Sequence, residues 1–285
     1  MKWPVAADWP NAAWSKKIYC APHRWHLQRA GTGPIALILH GAGGSTHSMA
    51  ALFDHMSRTH DAVAVDLPGH GYTQLGARHR SGLEPMAQDL ATLCQQEGWA
   101  PALIIGHSAG AAVALDLSQR MTPTPQVIGI NAALSQFSGI AGALFPALAK
   151  ALAAMPFTAT LFSGIAGNAE RVQALIRGTG SSLTERQLSY YTRLVADRDH
   201  VDGALLMMSQ WALDPLLSRF ETVTARALLI TGAEDRTVPP EVSAQAVQRL
   251  PHAEHVQIAG LGHLMHEEAP DQVACEIERF LGEGG

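Results

Sequence analysis

Six short, unbroken apolar runs recur along the chain and constrain its fold more than any other feature. Ile35–Leu39 reads Ile-Ala-Leu-Ile-Leu, with no polar residue on either alternating face. A half-exposed strand alternates polar with apolar residues, whereas an unbroken run marks a strand covered on both faces. Asp61–Val65, Ala102–Ile105, Val127–Ile130, Ala227–Ile230 and His255–Ile258 repeat the pattern. Stretches with helical character near Ser48–Thr59, Leu83–Glu97, Ala109–Arg120, Pro240–Arg249 and Asp271–Leu281 separate most of them. Buried strands alternating with helices predict an α/β fold with a mostly parallel, doubly wound sheet. Ahead of the first run, Ile18–Cys20 and Arg24–Arg29 suit an antiparallel hairpin. Residues 1–16, with three tryptophans and two prolines, suit an arm lying on the domain.

One connection breaks the rhythm. Between Leu134 and Arg226 no buried-strand run occurs, and helical stretches are expected at Ile140–Ala154, Ala169–Arg177, Thr184–Ala196 and Val201–Leu213. A connection this long is an insertion rather than a loop. The expected organisation is a core in two parts, 1–133 and 227–285, interrupted by a helical cap at 134–226. Gly139–Gly167 carries a single charge, Lys150, and is broken by Pro146 and Pro156. It reads as the apolar interior of a lid rather than a spanning helix, with a membrane-contacting surface as the alternative.

The chemistry sits at the ends of the apolar runs. Leu103–Ile105 leads into Gly106-His107-Ser108-Ala109-Gly110 and then a small-residue helix. Strand, G-x-S-x-G and helix together are the context of a nucleophile elbow, in which the serine is held on a strained turn above the sheet edge. His40-Gly41-Ala42-Gly43-Gly44 follows the first run directly. Such a glycine loop can supply a backbone N–H to a developing oxyanion, and Ala42 is the expected donor, with Ala109 as the second. Past the Ala227 run, Glu234 and Asp235 compete as the acid; distance from the strand and the following Thr-Val-Pro favour Asp235. Asp214 is a weaker candidate. Some hydrolases carry the acid one strand earlier, but that position is Asn131. His263, after Gly260-Leu261-Gly262, is the expected base and His266 the runner-up. Ser108, Asp235 and His263 stand in the chain order of one hydrolase type and not in that of the chymotrypsin or subtilisin types.

Other chemistries find no footing. Thr46 stands where a dinucleotide loop needs glycine, and no Gly-Lys-Ser/Thr follows for a phosphate loop. Asp66 heads Asp66-Leu67-Pro68-Gly69-His70-Gly71, which reads as a rigid loop rather than a ribose site. His263-x-x-His266 lacks further ligands at metal spacing, so neither metal nor cofactor is expected. A net charge of -5 and no basic cluster argue against nucleic acid. Three scattered cysteines and no apolar leader at the N-terminus suit a reducing cytoplasm. Most of the fourteen histidines are expected at the surface or behind the site.

These motifs resemble the α/β-hydrolase superfamily over residues 18–283. A narrower resemblance rests on Trp25-His26-Leu27-Gln28, the His40–Ser48 stretch, Gly106–Ala112, Gly178-Thr179-Gly180-Ser181 and Met207-Met208-Ser209-Gln210-Trp211. These are similar to the magnesium-chelatase accessory hydrolases of bacteriochlorophyll biosynthesis. Many members have threonine where Ala42 stands, a change that leaves the backbone donor in place. The resemblance implies a role near magnesium insertion, with a tetrapyrrole ester as a candidate substrate and magnesium chelatase as a candidate partner. Two functions therefore stand: a serine hydrolase acting on an apolar acyl substrate, or a non-hydrolytic accessory that binds a porphyrin or the chelatase through its cap. Perhydrolysis and carbon–carbon cleavage use the same residues and form a third class.

Overall fold

The computed structural model describes residues 1–135 and 168–282. An eight-stranded sheet forms its centre, built from β1 (Ser15–Cys20), β2 (His23–Ala30), β3 (Ile35–Leu39), β4 (Asp61–Val65), β5 (Pro101–His107), β6 (Gln126–Ile130), β7 (Ala227–Gly232) and β8 (Ala253–Ile258). The spatial order is β1-β2-β4-β3-β5-β6-β7-β8. The hairpin β1/β2 is antiparallel and joins β4 antiparallel; every later pairing is parallel. All six runs are strands of this sheet. The last, at β8, lies at the sheet edge with no fully buried residue. The expectation of a strand covered on both faces is therefore corrected for His255–Ile258, whose His255 and Gln257 already break its apolar pattern.

The unbroken character of the other runs has the expected cause. Leu37, Leu39, Val63, Val65 and Ile104 face one core with helices Leu83–Glu97 and Ala109–Ser118. Ala36, Ile38, Ala62, Ala64 and Ile105 face a second core with helices Ala50–Met56 and Pro270–Gly282. Neighbouring residues of one strand thus enter different cores, so both must be apolar.

Between β6 and β7 the described residues form helices Ala169–Gly178, Glu185–Ala196, Arg198–Gln210 and Asp214–Leu217. The expected helix Ile140–Ala154 and the apolar stretch Gly139–Gly167 fall in 136–167, outside the described residues. The helix expected at Val201–Leu213 starts three residues earlier, because the Asp197 side chain accepts the His200 N–H and caps it. It ends at Gln210, where Trp211 is already extended. Helix Glu185–Ala196 opens with a full capping box between Thr184 and Gln187. The N-terminal arm packs on this helix: Trp9 is buried, with ring centroids 5.3 Å from Tyr190 and 5.5 Å from Tyr72. Among the described residues no helix is long and apolar enough to cross a membrane, and the three cysteines are free.

Nine of the fourteen histidines are buried, among them His40, His107 and His200 behind the loops at the strand ends. Some are covered because a partner replaces water: His26 meets Asp66 at 2.6 Å and His23 meets Asp89 at 2.9 Å. Others stack on one another, as His40, His70 and His200 do, at centroid spacings of 5.3 Å.

Candidate active site

Because the sheet is parallel from β4 to β8, the loops after β3, β5, β6, β7 and β8 emerge at one edge, the usual place for ligand chemistry in open α/β sheets. Ala42, Ser108, Asp235 and His263 stand in the loops that follow β3, β5, β7 and β8 at that edge, whereas Asp214 lies in the helix Asp214–Leu217 ahead of β7.

Ser108 follows β5 at φ 52° and ψ −117°, a conformation rare for a residue with a side chain. Its N–H donates to Ile130 O at 2.9 Å, and its carbonyl accepts from Ala133 N at 3.1 Å, so the turn is tied to the neighbouring strand. The flanking glycines are obligatory for steric reasons. A Cβ on Gly106 would lie 2.3 Å from Gly110 O; one on Gly110 would lie 2.4 Å from His40 O and 2.7 Å from Leu39 O. Gly110→Ala should therefore push the helix off β3 and cost about 2–3 kcal/mol, read from urea unfolding.

The glycine loop after β3 packs against the serine: a Cβ on Gly41 would sit 3.0 Å from Ser108 Cβ. His40 fixes this loop. Its Nε2 accepts the Leu67 N–H at 2.9 Å, which leaves the ring proton on Nδ1 to donate to Gly41 O at 2.7 Å. Burial lowers the His40 pKa, so the ring stays neutral and the tautomer holds. Gly41 O is thereby turned away, while the Ala42 N–H donates to no acceptor among the described residues. Ala109 is the first residue of its helix, where an N–H has no intrahelical partner.

The acid and base meet directly. His263 Nδ1 donates to Asp235 Oδ2 at 2.8 Å. The other carboxylate oxygen of Asp235 accepts the N–H groups of Thr237 and Val238 at 2.7 and 2.9 Å. Glu234, the competing acid, is exposed, as is Asp214, which heads a short helix. His266, the runner-up base, is buried with both ring nitrogens lacking a partner among the described residues. Its ring centroid lies 4.3 Å from that of His107, itself 4.7 Å from that of His263. No hydrogen bond joins Ser108 Oγ to His263 Nε2 among the described residues, a separation common in unliganded sites.

Several supporting residues escaped the sequence reading. Asn131, considered only as a missing acid, is a clasp. Its amide donates to Gly262 O and His263 O at 3.0 and 2.9 Å, and its carbonyl accepts from Gly232 N at 2.9 Å. It thus joins the ends of β6 and β7 to the histidine loop. His107 Nε2 donates to the same His263 carbonyl at 2.9 Å. Thr179 O accepts the N–H groups of both Arg236 and His263, and Ser181 Oγ accepts from Leu264 N at 2.8 Å. The Gly178–Ser181 motif therefore braces the acid loop and the base loop together. Asp66 is committed to the fold: it accepts from Thr46 N, Tyr72 N and His26. Burial opposes its ionisation, but His26, His40 and the Tyr72 amide outweigh this and hold its pKa below the usual carboxylate range. Among the described residues no three His, Cys, Asp or Glu side chains gather for a metal.

The family model described as alpha/beta hydrolase fold matches residues 34–270. The magnesium-chelatase 30 kDa subunit of Rhodobacter capsulatus is 44% identical over 97% of this chain and 98% of that protein. A pimeloyl-[acyl-carrier protein] methyl ester esterase of Xanthomonas axonopodis pv. citri is 27% identical over 90% of this chain and 98% of its own length. Among solved structures, a thermophilic esterase from Thermogutta terrifontis superposes with a TM-score of 0.73 at 20% identity, covering 94% of this chain and 98% of that one. A match across most of the chain and a relative of this identity place it without ambiguity: the chain belongs to the α/β-hydrolase fold family, in the company of the magnesium-chelatase 30 kDa subunit.

Proposed function

We propose that the protein is a serine hydrolase acting on an ester or related acyl bond, through Ser108 as nucleophile, His263 as general base and Asp235 as the acid that orients it. The observation that carries this reading is the combination at one sheet edge of a serine in a strained elbow and a histidine hydrogen-bonded to a buried carboxylate. His263 Nδ1–H is committed to Asp235, so Nε2 carries the lone pair and can take the Ser108 proton as Oγ attacks a carbonyl. The N–H groups of Ala42 and Ala109 receive the oxyanion. The acyl group is then released to water activated by His263. The helices between β6 and β7 act as a cap over this edge, within residues 134–226, and the substrate is apolar, with a tetrapyrrole ester as candidate.

The test is labelling by a serine-directed fluorophosphonate. Wild type should be labelled at one site and Ser108→Ala not at all, with a loss of model-ester turnover of about 10⁴-fold or more. A folded wild type that resists labelling overturns the reading.

A second reading rests on the name of the 44% identical relative, a chelatase subunit. In it the chain contacts magnesium chelatase or a porphyrin, and the site is not used for turnover. It is favoured if Ser108→Ala still supports pigment formation in cells lacking the wild-type chain.

A further inference from the structure

A carbonyl of the glycine loop after β3 that turned toward the oxyanion would repel it, and two of the loop's carbonyls are tied back by buried histidines. His40 restrains the first, as described. The second, Gly43 O, is held by a residue from the far side of the chain, His200 in helix Arg198–Gln210.

His200 is 3% exposed. Its Nδ1 accepts the Gly71 N–H at 3.0 Å, and its Nε2 lies 3.1 Å from Gly43 O. A backbone N–H can only donate, so Nδ1 is the bare nitrogen and Nε2–H donates to the carbonyl. Burial, with His70 and His40 adding to it, holds His200 far below the ordinary histidine pKa, so the ring is neutral and its tautomer fixed. The ring packs edge-on against His70, which in turn lies against His40. Two neutral histidines, each locked by a backbone amide on one side, thus restrain Gly41 O, in the same peptide as the Ala42 N–H, and Gly43 O, two peptides further on.

The helix that carries His200 is seated without slack. A Cβ on Gly203, one turn on, would lie 2.1 Å from Gly69 O; one on Gly69 would lie 2.9 Å from Gly203 Cα. The helix backbone therefore rests on the Asp66–Gly71 loop, and the Asp197 cap secures its first turn on the His200 N–H.

We propose that His200 is a positioning residue for the oxyanion loop: through its Nε2–H bond to Gly43 O it makes the Ala42 donor geometry depend on the seating of helix Arg198–Gln210. The inserted segment thereby completes the site rather than only covering it. This rests on the hydrolase reading for its catalytic consequence, but not for the clamp itself.

The test compares wild type, His200→Phe and His200→Gln. Phenylalanine keeps the ring packing against His70 and removes both hydrogen bonds; glutamine places an amide N–H close to the Nε2 position. Fluorophosphonate labelling is resolved into its maximal rate and its half-saturating concentration, and amide hydrogen exchange is followed across Gly41–Ser48. The maximal labelling rate of His200→Phe should fall about 10- to 100-fold with half-saturation unchanged, because oxyanion donors act in the transition state. Exchange at Gly44, which donates to Gly41 O, and at Thr46, which donates to Asp66, should quicken. His200→Gln should stay within about threefold of wild type on the same ground. Wild-type labelling and exchange in His200→Phe overturn the proposal. So does equal damage in both variants, which would assign the effect to packing. If wild type itself is not labelled, the hydrolase reading fails, and the exchange comparison alone decides whether the clamp exists.

Discussion

Asp235→Asn should lower ester turnover by about 10⁴-fold while leaving the fold intact, the general magnitude for exchanging a triad carboxylate for an amide. The reason lies in which way the amide must face. Thr237 and Val238 present two N–H groups to one oxygen of residue 235, at 2.7 and 2.9 Å. They hold the asparagine carbonyl on that side, because turning the amide over would bring donor against donor. The NH₂ group then faces His263 Nδ1, where Asp235 Oδ2 now accepts. Only a bare Nδ1 can meet it, so the ring proton moves to Nε2, the nitrogen that must receive the serine proton. The base is present, correctly placed and in the wrong tautomer. Turnover of a p-nitrophenyl ester and the fluorophosphonate labelling rate should fall together, and the melting temperature should move little. Glu234→Gln and Asp214→Asn are the controls: both acids are exposed, and Asp235 is the carboxylate that meets His263 Nδ1. Wild-type turnover in Asp235→Asn, or a comparable loss in Glu234→Gln, would remove Asp235 from the mechanism.

The sheet and its three reactive loops were legible because each has a local signature. A strand buried on both faces must be apolar throughout, and Ile35–Leu39 or Leu103–Ile105 can be read as such without their neighbours. A parallel sheet then sends every strand-end loop to one edge, so Ser108, Asp235 and His263 converge by topology alone. The elbow glycines are a local requirement as well, since Gly106 and Gly110 make contacts that exclude a Cβ. What stayed hidden was the bracing. Asn131 binds a loop more than a hundred positions away, and His200 reaches Gly43 across 157. Such bonds have no spacing, period or composition to betray them. The start of helix Arg198–Gln210 was obscured for another reason: Asp197 and Asp199 are equally good capping residues by type, and only the backbone shows which one caps. Which histidines are buried was not legible, because burial of an imidazole depends on a partner or a stacked neighbour, and neither is visible until the chain folds.

Those histidines should make the protein acid-labile. His47, His70 and His266 have their pKa values lowered to about 3, chiefly by burial. His47 Nε2, His70 Nε2 and both nitrogens of His266 have no partner among the described residues, so a proton added there would bring a charge with no acceptor. Unfolded, each titrates near 6.5. The sign follows directly: the unfolded chain binds more protons below pH 6.5, so the stability is fully present above that pH and is lost as pH falls toward 3. Each of the three contributes a loss of about 1 kcal/mol between pH 6.5 and 5.5. His40, His107 and His200 are shifted in the same direction. One group opposes them. Burial raises Glu267 to about 8, and the Tyr191 hydroxyl donates to it at 2.5 Å. Its folded pKa lies above its unfolded value, so it stabilises the fold as pH falls from 8 toward 4.5, by about 1 kcal/mol over the same interval. The three histidines at about 3 outweigh the one glutamic acid by about 2 kcal/mol over this interval, and His40, His107 and His200 act in the same direction, against the 5–15 kcal/mol typical of a domain. Urea unfolding at pH 8, 6.5 and 5.5 should show stability falling most over the last step, with cooperative acid unfolding below it. Glu267→Gln removes the opposing group. The amide stands in for the protonated acid that the fold favours, so it should leave that transition in place or at slightly lower pH and flatten the decline in stability between pH 6.5 and 8. Equal stability at pH 7 and 5 in wild type would show that these imidazoles find solvent or partners when protonated.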